Sequence, residues 1–257
     1  MNHSHPMVFD RLRVIVSEDR SSLGIEAARH AGEWLAAAIS NRGAARVILA
    51  SAPSQNELLE ALLGSEIDWS RVTLFHMDEY VGLSADHPGT FRAYQQRHVL
   101  ARIKPAAFHG IRGEATDSAA ECRRYAALLR EAPIDLVCLG IGENGHLAFN
   151  DPPVADFSDS EWVKPVQLDE LCRQQQVNDG CFSTFEEVPL TALTLTIPAL
   201  LSARAIVGVV PGPRKAPAVR AALQGPISKA CPASILRNHP NAALYLDQES
   251  AALLVEP

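Results

Sequence analysis

The apolar run Ile134-Asp135-Leu136-Val137-Cys138-Leu139, followed by Gly140-Ile141-Gly142-Glu143-Asn144-Gly145-His146-Leu147-Ala148-Phe149-Asn150-Asp151-Pro152-Pro153, decides how the rest of the chain is read. The run predicts a buried strand. After it the backbone turns through three glycines and presents a histidine, and Asn-Asp-Pro-Pro bars a long helix. A strand end, a pliable backbone and a titratable side chain in one loop is how open α/β sheets place active sites. The spacing of Gly140, Gly142 and Gly145 formally matches a dinucleotide fingerprint. That fingerprint must open a helix, whereas here prolines follow at 152 and 153. No nicotinamide, flavin or other cofactor is expected.

Strands and helices alternate on both sides of this loop. Upstream, Leu12–Val16 reads as a first strand, Leu23–Asn41 as a helix capped by Ser21 or Ser22, and Arg46–Ala50 as a second strand. The turn Ser51-Ala52-Pro53-Ser54-Gln55 leads to a helix over 56–63. It reads equally as a phosphate cradle using Ser51 and Ser54 with the free N–H groups of a helix start, or as an ordinary cap at Ser54. Arg71–Phe75 forms a third strand and delivers His76-Met77-Asp78-Glu79-Tyr80-Val81-Gly82-Leu83 to its end. Helices are expected over 91–102 and 117–130. Between 151 and 188 the pattern turns polar and aperiodic, which suits a lid with one short helix over 168–175. The apolar pattern resumes over 192–197. Ala205–Val210 is a further strand ending in Pro211-Gly212-Pro213-Arg214-Lys215, then a helix to 223 and a closing strand over 242–246. The fold class is therefore α/β, a single doubly wound, mostly parallel, Rossmann-like sheet with helices on both faces, in one domain over 1–257 with a disordered tail at 1–10.

The whole chain, with 47% hydrophobic and 21% charged residues, has the makeup of a soluble globular protein. A net charge of −7 argues against nucleic-acid or anionic-membrane partners, and no apolar window of about 18 residues marks a membrane span. The polar start is no signal peptide. His3 and His5 near it are read as part of the tail rather than as metal ligands. Five scattered cysteines, none in a C-x-x-C pair, indicate neither a disulfide framework nor a zinc site, and point to the reducing cytoplasm.

Three strand-end loops thus carry chemistry. Asp78 beside Glu79 follows a buried strand, where adjacent acids are costly unless paired or used. His146 has Asp151 nearby, and a carboxylate beside a histidine can fix its tautomer for acid–base work. Lys215 sits at a helix start, where a cation gains nothing from the dipole but an anion held jointly with the N–H groups would. A structural turn role for each remains the alternative.

The segment Phe75-His76-Met77-Asp78-Glu79-Tyr80-Val81-Gly82-Leu83 with His87-Pro88, and the loop from Gly140 through His146 to Pro152, resemble the two signatures of glucosamine-6-phosphate deaminases (isomerases). The resemblance runs over roughly residues 30–246. It implies that Asp78 moves a proton between C2 and C1, that His146 assists ring opening with Asp151 orienting it, and that Lys215 holds the substrate phosphate. It further implies a small amino-sugar phosphate as substrate, Glu79, Gly142, Gly145, Ser51 and Ser54 around it, and often a homo-oligomer. The related 6-phosphogluconolactonases typically place arginine where Tyr80 stands and lack the Phe149-Asn150-Asp151-Pro152 continuation. Departures from the family pattern are specific. Asn144 replaces an acid two residues before the histidine, Asp151 replaces glutamate, and Ala52-Pro53 replaces a Gly-Gly pair. Gly180 falls near the place of a family arginine, for which Arg173 is the candidate substitute. The basic residues expected of the family's allosteric site are missing, with only Lys164 nearby, so no such regulation, or a different one, is expected. The changed loop and the shortened acid leave galactosamine-6-phosphate open beside glucosamine-6-phosphate. A lactonase and a non-catalytic sugar-phosphate sensor are the alternative functions.

Overall fold

The computed structural model describes residues 7–255. The strands in chain order are β1 (Met7–Phe9), β2 (Leu12–Ser17), β3 (Ala45–Leu49), β4 (Val72–His76), β5 (Asp78–Tyr80), β6 (Ala107–His109), β7 (Leu136–Leu139), β8 (Val163–Gln167), β9 (Thr191–Leu195), β10 (Ala205–Val210) and β11 (Ala242–Asp247). The α-helices are α1 (Arg20–Arg42), α2 (Asn56–Leu63), α3 (Phe91–Gln95), α4 (Ser118–Arg130), α5 (Glu170–Asn178), α6 (Ile197–Leu201) and α7 (Ala216–Gln224).

Eight strands form the main sheet in the order β1-β2-β11-β10-β7-β3-β4-β6, parallel except where β1 meets β2. Strands buried on both faces alternate their side chains between two cores. Val137, Ile206, Val210, Leu244 and Leu246 join the core on one face. Leu136, Cys138, Val207, Val209 and Tyr245 join the other, under α1 and α2. Helices therefore cover both faces, as the continuous apolar runs require. From β3 the chain moves outward through β4 to β6, then returns to β7 and proceeds the other way through β10 to β11. The order reverses between β3 and β7, and the crevice at such a switch point is where doubly wound sheets bind ligands.

Several expectations are corrected. One sheet was expected, but β5, β9 and β8 form a second, antiparallel, three-stranded sheet. Its Val163, Leu193 and Leu195 pack into the same core as β7 and β10. Asp78 therefore lies on a strand rather than in a loop. The irregular stretch 151–188 contains β8, an edge strand that tolerates Pro165 because it pairs only with β9. Its helix is α5, starting and ending later than expected. α1 is capped by Asp19, which accepts from the Ser22 N–H, not by Ser21 or Ser22. The helix expected over 91–102 passes from α3 into a π turn at Gln96–Leu100. Of the tail expected at 1–10, Met7–Phe9 pair with β2; His3 and His5 lie outside the described residues.

Candidate active site

Three loops after β10, β7 and β3, and the strand β5 that follows β4, meet at one cleft at the carboxyl ends of these adjacent strands. Ser51 and Ser54 after β3, Asp78 after β4, Gly142 and His146 after β7, and Lys215 after β10 all line it. The Ala50 N–H donates to Cys138 O at 3.0 Å, which fixes the β3 and β7 loops side by side at the switch point.

The glycine loop is built around the histidine. Gly142 N–H donates to His146 O and Gly145 N–H to Gly142 O, each at 3.0 Å, closing a tight turn. Gly145 takes φ +82°, the left-handed region that favours glycine. A Cβ on Gly142 would lie 2.2 Å from His146 Cε1, so the imidazole rests directly on that bare backbone. Behind the ring, Asp151 Oδ1 lies 2.9 Å from Nδ1. Asn144 ties the pair together: its Nδ2 donates to Asp151 Oδ1 at 2.9 Å and its Oδ1 accepts from the His146 N–H at 3.1 Å. Asp151 is fully buried. Burial opposes its charge, yet the His146 contact, the Asn144 amide and the Asp169 N–H outweigh it and hold the carboxyl below its usual range. Asparagine is thus used as a donor to the buried carboxylate, which a second, ionised acid could not be.

Asp78 is 7% exposed and its carboxylate accepts no hydrogen bond among the described residues. Burial first, then the charge of Glu79, raise its pKa well above the ordinary carboxylate value. Lys215 is comparably buried and its Nζ has no partner within the described residues. Burial lowers its pKa, partly offset by Asp179 and Glu143. An unpaired buried cation and an unpaired buried carboxylate lining the same cleft are costly unless a ligand uses them.

Three expected binding residues lie elsewhere. Glu79 points away from the cleft, is fully buried, and accepts from the N–H groups of Tyr80, Phe91 and Arg92. It anchors the start of α3, and burial lifts its pKa to about 7 against those hydrogen bonds. Arg173 does not fold over the cleft: its guanidinium donates to Val188 O and Phe185 O, bracing the segment after α5. Gly145 turns the loop beneath His146, against Cys231, and does not line the cleft. Ser54 caps nothing; its Oγ accepts from Gln55 Nε2 at 3.2 Å, while Ser51 Oγ accepts from Gln95 Nε2 at 2.9 Å. Lys164 is occupied by Val154 O and Asp159.

A lid with a short helix was expected over this stretch, but the residues it presents to the cleft were not identified. Gln175, Gln176 and Asp179 from α5 and its C-terminus line the cleft, together with Phe91 and Phe149. Gln175 Oε1 accepts from the Glu143 N–H at 2.9 Å, and Arg214 pairs with both Asp179 (2.9 Å) and Glu143 (3.4 Å), so the cover is tied to the glycine loop. The available signal was the polar run Arg173-Gln174-Gln175-Gln176 inside the expected short helix. His146, Asp151 and Cys172 also place metal-ligating atoms within 4.8 Å of one another. Burial and the charges of Asp151 and Asp78 push the Cys172 thiol well up, which favours a protonated thiol donating to Asp151 over a thiolate ligand.

A family model for glucosamine-6-phosphate isomerases/6-phosphogluconolactonase matches residues 18–245. The chain is 36% identical over 244 residues to a glucosamine-6-phosphate deaminase of Lactobacillus delbrueckii subsp. bulgaricus, covering 95% of this chain and 100% of that one. It is 37% identical over 206 residues to one from Listeria innocua serovar 6a, covering 80% and 86%. A solved structure of a monomeric glucosamine-6-phosphate deaminase matches with TM-score 0.86 at 31% identity, over 94% of this chain and 99% of that one. A 6-phosphogluconolactonase from Shewanella baltica matches with TM-score 0.74 at 20% identity over 94% and 99%, a likeness of fold alone. No helix among the described residues is long and apolar enough to cross a membrane.

Proposed function

Because the chain belongs to the glucosamine-6-phosphate isomerase/6-phosphogluconolactonase family, we propose that it converts an amino-sugar 6-phosphate and water to the ketose 6-phosphate and ammonia. The observation that carries this reading is the unpaired, desolvated Asp78 facing the same cleft as His146 and Lys215. Lys215, with Ser51 and Ser54, holds the phosphate. His146, backed by Asp151 and Asn144, takes the proton of the C1 hydroxyl and passes it to the ring oxygen, which opens the sugar to its aldehyde. Asp78 then removes the C2 proton, and the electron pair moves to form the C1=C2 enolamine while O1 takes up a proton. The same carboxyl returns a proton to C1, leaving an imine at C2. Water adds there and ammonia departs, so atoms balance with no outside oxidant or reductant. A carboxyl held well above its ordinary pKa is basic enough to take a carbon-bound proton and acidic enough to give it back.

A lactonase needs no proton moved between carbons and would leave Asp78 as an unused buried charge. The five cysteines are all free, which suits a reducing cytoplasm and a single catalytic domain working there. The test is to supply glucosamine-6-phosphate, galactosamine-6-phosphate and 6-phosphogluconolactone and follow ammonia, ketose and acid. Ammonia from an amino sugar, cut about 10²–10⁴-fold in Asp78→Asn with binding retained, supports the proposal. Acid from the lactone without ammonia from either amino sugar overturns it.

A further inference from the structure

We infer that Gln176 is a substrate-binding residue that reads a hydroxyl in the middle of the sugar chain, and that Tyr80 is the residue that positions it. This rests on the amino-sugar phosphate reading above. Gln176 is 7% exposed and lines the cleft with Asp78 and His146. Its Oε1 accepts from the Tyr80 hydroxyl at 2.9 Å, which leaves the amide N–H₂ as the free end. That amide finds no partner among the described residues. Its neighbour Gln175 differs: both of its amide atoms are spent within the protein, on the Glu143 N–H and on Asp179. A cleft-lining donor pair without a protein acceptor is free to meet an acceptor brought by the ligand.

The clamp is rigid. Tyr80 is fully buried, and its ring lies 4.9 Å from Phe91, 5.5 Å from Phe149 and 5.3 Å from Phe182. Its hydroxyl therefore cannot follow a wandering glutamine, and the amide is held in one orientation.

Position along the substrate follows from the helix. Asp179 at the end of α5 marks the anion end, through Arg214 and next to Lys215. Gln176 lies three residues earlier on the same face, about 4.5 Å back along the axis. It thus stands toward β5, where Tyr80 shares a face with Asp78 two residues before it. A donor between the phosphate anchor and the carbon-acid base meets the C3 or C4 hydroxyl, so Gln176 contributes to the choice between C4 epimers.

The experiment compares kcat/KM for glucosamine-6-phosphate and galactosamine-6-phosphate in wild type, Gln176→Met and Tyr80→Phe, with inhibition by inorganic phosphate as a probe of the anion end alone. Gln176→Met should lower kcat/KM on the preferred epimer about tenfold, the scale of one neutral hydrogen bond. The epimer ratio should move toward one and the phosphate Ki should stay within twofold. Tyr80→Phe, which keeps the amide but frees it, should shift the ratio in the same direction by less. Unchanged kcat/KM and epimer ratio in both variants overturn the inference, as does a phosphate Ki that moves by the same factor as kcat/KM. If wild type turns over neither amino sugar, the proposed function itself fails, whatever the variants do.

Discussion

Replacing Gly142 with alanine isolates the histidine without touching it chemically. The added Cβ would stand 2.2–2.3 Å from three atoms of the His146 ring, whereas ordinary contact begins near 3.4 Å. Gly142 does not occupy the left-handed region, so the alanine backbone itself fits. The loop is closed on itself by two 3.0 Å hydrogen bonds and resists opening. The ring must therefore retreat by about 1.2 Å, the gap between 2.2 and 3.4 Å, which disturbs its 2.9 Å contact with Asp151 and its place in the cleft. Displacements of about 1 Å at a reacting group cost about 10²-fold in rate. Overpacking of this kind costs about 1–3 kcal/mol of stability. Steady-state ammonia release should show kcat down about 10²-fold in protein that still melts cooperatively. A kcat within threefold of wild type would refute the placement of His146 at the chemical step.

Asp78→Asn should stabilise the protein increasingly as pH rises. The folded pKa of Asp78 is raised, so its contribution to stability is fully present below the ordinary carboxylate value and is lost as pH climbs through the folded one. Thermal melts at pH 4 and pH 8 check this, and an equal difference at both would contradict it. Asn144→Asp should harm rather than help, because it removes the donor to Asp151 and sets two carboxylates together. Its melting point should fall more at pH 8 than at pH 5; a gain in kcat at neutral pH would count against this account. Lys215→Met should raise KM about 10–100-fold, the range of a hydrogen bond to a charged group. It should also raise the melting temperature, since a buried unpaired cation is removed; an unchanged KM in substrate titrations would contradict the phosphate assignment.

Much of the fold was legible because strands buried on both faces announce themselves as unbroken apolar runs, as at Ala205–Val210 and Leu136–Leu139. The site was legible where a glycine turn or cations at a helix start broke that pattern, at His146 and Lys215. The second sheet was not, because β5 is three residues long and two of them are acids, of which only Glu79 is held by partners distant in sequence. Glu79 reads like Asp78 in one dimension. Only the arrival of the Phe91 and Arg92 N–H groups separates an anchor from an open carboxylate. β8 hid behind Pro165 and alternating polar residues, which an edge strand permits. Arg173 offered a cation in the right region, but its direction was set by the carbonyls of Phe185 and Val188.

Turnover of glucosamine-6-phosphate in deuterium oxide, read by NMR of the product, tests the convergence of these loops most directly. Wild type should release ammonia and place solvent deuterium at C1 of the ketose, and Asp78→Asn should bind the sugar while doing neither. Ammonia release at the wild-type rate by Asp78→Asn would contradict the account.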